Sequence, residues 1–153
     1  MFPETRRWLI RSGVLCASIL VSTHCLSLAA PPELVGVWEA GDRAHQAIYG
    51  RLKISSRVIQ FSLNGKGWKC PTPFEVVETG NADSYPEEQR PFPPSVPSWR
   101  YVKVRLGKSK CTVATNFVFA FLDDTPDYLG FVEFRNKSQW SGTGHFHRAS
   151  ASR

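Results

Sequence analysis

Sustained helical patterning is missing from this chain. Nowhere in residues 30–153 do apolar side chains recur at helical spacing over three turns, which excludes helical bundles and alternating α/β folds. Chemistry-bearing motifs are equally scarce. After residue 29 there is no CxxC or HExxH spacing, and no serine sits in a Gly-x-Ser-x-Gly elbow. The carboxylates Glu75, Glu78, Glu87, Glu88 and Glu133 fall into no recognisable catalytic pairing. No enzyme, no metal centre and no cofactor are therefore expected. Dense basic clusters are lacking too. The chain carries 19 Lys and Arg against 13 Asp and Glu, a net charge of +6, which is too diffuse for a nucleic-acid binder.

What is present begins with an export leader. Arg6, Arg7 and Arg11 form a basic start, Val14–Leu28 is apolar, and Ser27-Leu28-Ala29 has the small-x-small form of a signal-peptidase site. This pattern predicts a signal peptide over 1–29 and a mature domain over 30–153, periplasmic or secreted, that meets a membrane only through the transient leader. Thr5–Arg11 also resembles a twin-arginine signal, with a general secretory signal as the alternative. The apolar run is short for a spanning helix and stops at Pro31-Pro32. Neither Cys16 nor Cys25 follows a lipobox, and both leave with the leader. Cys70 and Cys111 remain, an even pair that in an oxidising compartment predicts one disulfide. Losing the leader's charges lowers the net charge to about +4.

Period-two alternation supplies the fold class. Gln46–Ser55 sets Ile48, Gly50, Leu52 and Ile54 against Tyr49, Arg51 and Lys53. Val58–Leu63 follows, with Ile59, Phe61 and Leu63 on its apolar face, and Asn64–Gly67 is a turn. Further strands are expected at Phe74–Glu78, Trp99–Leu106, Cys111–Leu122, Tyr128–Asn136 and Gly142–Arg148. Cys111–Leu122 ends apolar on both faces, Phe117, Phe119 and Phe121 opposing Val118, Ala120 and Leu122, which fits a central or wrapped strand or an interface. With Leu34–Trp38 the count is about eight strands, an all-β antiparallel meander. Closure into a barrel would remove the exposed edges, and a two-sheet sandwich is the alternative.

Gly36-Val37-Trp38, near the start of an exported all-β chain of this length, resembles the lipocalin-like (calycin) group. That resemblance implies an up-and-down barrel holding a small apolar ligand; some related small exported barrels inhibit hydrolases. Trp38 would plug one end, and Phe117, Phe119 and Phe121 would line the interior.

The long segment Thr79–Ser98 departs from a compact meander. Five of its residues are proline, and Tyr85, Phe92 and, just beyond it, Trp99 add aromatic anchors. Two functions follow as expectations. One is a non-enzymatic binding protein whose ligand lies in the barrel, or whose mouth is capped by this loop. The other is a hydrolase inhibitor or interaction module that uses Tyr85, Phe92 and Trp99 against an envelope or extracellular protein. Of the weaker motifs, His145 and His147 share one strand face, which Phe146 turns outward. Asp123, Asp124 and Asp127 read as a solvated turn.

Overall fold

Eight strands joined mostly by short turns leave unpaired backbone groups along the first and last edges, and here those two edges pair with each other. The computed structural model describes residues 29–96, 98–136 and 139–150, so residues 1–28 of the expected leader, with Cys16 and Cys25, lie outside the described residues. The strands are β1 (Gly36–Ala40), β2 (Arg51–Ile54), β3 (Val58–Ser62), β4 (Lys69–Asn81), β5 (Arg100–Leu106), β6 (Asn116–Leu122), β7 (Thr125–Phe134) and β8 (Trp140–Arg148). They form a closed antiparallel barrel in sequence order. β1 completes the ring against β8, with Trp38 opposite Arg148 and Ala40 opposite Phe146.

Alternation carries one set of side chains inward. Trp38, Leu52, Ile59, Phe61, Phe117, Phe119, Phe131 and Phe146 are all essentially inaccessible to solvent. Their rings fill the lumen: Phe131 lies with its centroid 4.8 Å from that of Phe117, 5.7 Å from Phe119 and 5.3 Å from Phe146. Burial of each such side chain contributes about 1.5–3 kcal/mol, so the lumen is the main hydrophobic core.

Sequence and structure part most clearly between β1 and β2. Instead of a strand from Gln46, residues Arg43–Ile48 form a short helix, α1, capped by Asp42. Gly50, at φ +60, then turns the chain into β2, where a side chain would strike the carbonyl of Ser62. A six-residue helix is too brief to show a period, and Ile48 and Gly50 imitated the strand pattern by coincidence.

The two ends of the barrel differ. One, here the α1 end, carries α1, the β3–β4 turn, the β5–β6 loop and the β7–β8 turn. The other, the amino end, carries residues 29–35, the β2–β3 turn, the long β4–β5 loop and the β6–β7 turn. At the amino end Trp38 Nε1 donates to the Leu34 carbonyl at 2.9 Å. The Arg148 guanidinium lies 4.3 Å above the Trp38 ring and donates to the carbonyls of Val35 and Glu33. Gly36 makes this possible, since a side chain there would collide with Arg148.

A second, smaller core lies outside the wall. β4 runs on to Asn81, so the proline-rich loop spans 82–99 and begins later than the sequence suggests. It folds back over β5, β6 and β7. Tyr85, Phe92 and Trp99 are buried there among Tyr101, Val118, Ala120, Val132 and Phe134. Phe92 sits over Gly130, where any side chain would displace its ring. This wrapping explains why β6 is apolar on both faces. It also covers Tyr101, and Tyr49 turns inward, so no aromatic-cation surface joins Arg51 and Lys53 on β2 to Lys103 and Arg105 on β5. Those strands are not neighbours in any case.

Candidate functional site

The α1 end gathers polar groups that the lumen excludes. Asp42 starts the arrangement as the helix cap. Its carboxylate accepts from the His45 backbone N–H and meets the His45 Nδ1, each at 2.9 Å. His45 is thereby fixed in orientation, buried against Phe131 and Phe146, with Nε2 as the ring nitrogen not engaged by Asp42. Gly144 supplies the room, because a side chain there would run into both members of the pair.

Helical spacing puts Tyr49 one turn after His45, on the same face. Its ring packs on Phe61, Phe117 and Phe131, and its hydroxyl reaches across the barrel. There it donates to Glu133 Oε2 at 2.5 Å and lies 3.2 Å from Thr112 Oγ1. Burial, and then the bond to Glu133, push the Tyr49 phenol far above the usual tyrosine range, while the Thr112 hydroxyl and, more weakly, Arg135 act the other way. The phenol therefore stays a neutral donor. Glu133 follows Leu129 and Phe131 on the inward face of β7 and is itself buried.

Thr112 belongs to the β5–β6 loop, which is held from both sides. Cys111 is disulfide-bonded to Cys70 at the start of β4, and Thr72 Oγ1 donates to Ser109 Oγ at 2.8 Å. Between this loop, α1 and the facing ends of β7 and β8 lies a pocket of about 610 Å³. His45, Tyr49, Thr112 and Glu133 line its wall, Lys110 and Arg135 add positive charge, and Ile48 and Val113 add apolar surface. A pocket of similar volume at the amino end includes Glu33, Arg100, Tyr101 and Phe121. Its guanidinium is already matched, since Arg100 pairs with Glu33 and Asp123.

The residues singled out from sequence are distributed over the molecule. Trp38 and Phe121 lie toward the amino end, Phe117 and Phe119 in the lumen, and Tyr85, Phe92 and Trp99 on the outer wall. Cys70 and Cys111 alone reach the α1 end. His145 and His147 flank Tyr128 on the outside, and among the described residues no three His, Cys, Asp or Glu side chains are grouped to hold a metal ion. Sequence reasoning missed Tyr49, Thr112 and Glu133. The available signals were the Asp42-x-x-His45 cap and an acidic residue at an inward position of an apolar strand.

Asp42 gives the site a pH dependence. Burial raises its pKa, but the hydrogen bonds and charge of His45, with the backbone of His145, outweigh this and hold it below the ordinary 3.8. A lowered folded pKa contributes stability that is present above the unfolded value and lost as pH falls through the folded one. Asp42→Asn is expected to flatten the stability-pH curve below 3.8. Asp42→Ala is expected to cost about 1 kcal/mol at neutral pH, read by urea unfolding. An unchanged curve in both variants would contradict the capping role.

Compared with known protein families, curated proteins and solved structures, the chain matches none.

Proposed function

We propose that this chain is an exported, lipocalin-like, non-enzymatic binding protein whose ligand sits in the α1-end pocket, above the filled lumen. The observation that carries this reading is that pocket: about 610 Å³, floored by the Tyr49–Glu133–Thr112 set and edged by Lys110 and Arg135. Buried polar groups facing a cavity, with apolar walls beside them, favour a small amphipathic ligand. Its anionic group would face Lys110 and Arg135, a hydrogen-bond donor would face Glu133, and its apolar part would lie against Ile48 and Val113. The disulfide supports export, because such bonds persist in oxidising compartments.

The anionic aromatic probe anilinonaphthalene sulfonate tests the reading. Saturable 1:1 binding is expected, weakened about tenfold in the double variant Lys110→Glu/Arg135→Glu. Phe119→Leu, a lumen change, should leave the affinity alone. Lack of saturable binding, or equal affinity in the double variant, would sink the proposal.

A further inference from the structure

The charges of this molecule are unevenly distributed along the barrel axis. Arg51, Arg100, Lys103, Arg105 and Arg148 are each matched by a carboxylate. Arg43, Lys66, Lys69, Lys108, Lys110 and Arg135, which take part in no ion pair among the described residues, all stand at the α1 end. They come from four separate connections, so they ring the mouth. The acidic side chains there, Asp42 and Glu133, are engaged inward by His45 and Tyr49. The amino end is mixed with an acidic excess: Glu33, Asp83, Glu87, Glu88, Asp123, Asp124 and Asp127 outnumber Lys53, Arg57, Arg90, Arg100 and Arg148 there.

Exposed apolar side chains accompany the cations. Val113 is 73% exposed at the tip of the β5–β6 loop, and Ile48 is 51% exposed on α1. Trp140, also 51% exposed, begins β8 at the same end. A ring of cations around protruding apolar tips, with an aromatic at the margin, matches the layering of an anionic bilayer surface. Phosphates meet the cations, the headgroup boundary meets the tryptophan, and the acyl margin receives the tips. An acidic protein cleft would explain the cations but would not call for apolar tips on separate loops.

We propose that the α1 end docks this protein onto an anionic phospholipid surface, mouth down, with the acidic amino end facing away. The field of the unevenly distributed charges would orient the molecule before contact. The proposal goes beyond the ligand-binding reading and has its own test, since the rim lysines used below do not line the pocket.

The experiment is flotation of residues 30–153 with vesicles of phosphatidylcholine alone or mixed with phosphatidylglycerol. Binding to the anionic vesicles only, released by raised salt, is expected. Lys66→Glu/Lys69→Glu/Lys108→Glu should weaken it at least about 100-fold, at roughly fivefold or more for each lysine lost. The same triple variant should keep its unfolding midpoint and its affinity for anilinonaphthalene sulfonate. Glu87→Lys/Glu88→Lys, which raises net charge at the far end, should change vesicle affinity less than twofold. No binding to anionic vesicles, equal binding to neutral ones, retained binding in the triple variant, or enhancement by the far-end variant would each overturn the proposal. Lost probe affinity with intact vesicle binding would fault the pocket and leave the docking surface standing.

Discussion

Replacing Cys70 and Cys111 together by serine is expected to lower the unfolding free energy by about 4 kcal/mol. The two residues are 41 apart in sequence, and the loss follows from the loop-closure entropy restored to the unfolded chain. The closed loop contains β5, most of β4 and the whole wrapping segment, so the cross-link restricts much of the denatured ensemble. The effect should extend to the pocket, because Lys110 and Thr112 flank Cys111 and depend on it for their position. Urea unfolding of the oxidised protein and the double serine variant measures the first effect; probe titration measures the second. A stability change under 1 kcal/mol would show that the loop is held by its hydrogen bonds, such as Thr72 to Ser109, without help from the disulfide.

The second large effect lies on the outer wall. Phe92→Ala is expected to cost about 3–5 kcal/mol, the range for emptying a buried aromatic site. Phe92 is only 6% exposed and packs on Trp99, Tyr128 and the bare backbone of Gly130. Tyr85→Phe provides the contrast. The Tyr85 hydroxyl is buried with no hydrogen-bond partner among the described residues, so removing it should cost almost nothing and leave the packed ring in place. If Phe92→Ala stayed within 1 kcal/mol of the parent, the loop would be detached from the wall and free to present its rings to a partner.

These two results bear on what the sequence could reveal. Period-two alternation placed the strands because nearly every inward position of a small filled barrel is apolar, Glu133 being an exception, and that requirement leaves a regular trace. The disulfide was legible for a similar reason: with Cys16 and Cys25 assigned to the expected leader, Cys70 and Cys111 have one partner each. The wrapping loop was visible as an anomaly, but where its rings pack was not. Tyr85, Phe92 and Trp99 look like anchors for a partner, and in the fold they pack on the protein's own wall. The matching signal, β6 apolar on both faces, sat in the same sequence twenty residues on, but nothing local joins the two. The candidate site was the least legible part. His45 and Tyr49 come from a helix too short to have a period, Thr112 from an irregular loop and Glu133 from the far side of the barrel. They meet only when the sheet closes.

Closure has a kinetic consequence. The clasp of Trp38 by Arg148 joins the first strand to the last, so the ring cannot form until nearly the whole chain is available. Contacts this remote in sequence must overcome chain entropy before they return any stabilisation, which places such barrels among the slow folders, in milliseconds to seconds. Hairpins such as β2–β3 and β6–β7 can assemble early and alone, leaving β1 and β8 with open edges meanwhile. The interval before the seam zips is when one copy's unpaired β8 can take up the β1 of another.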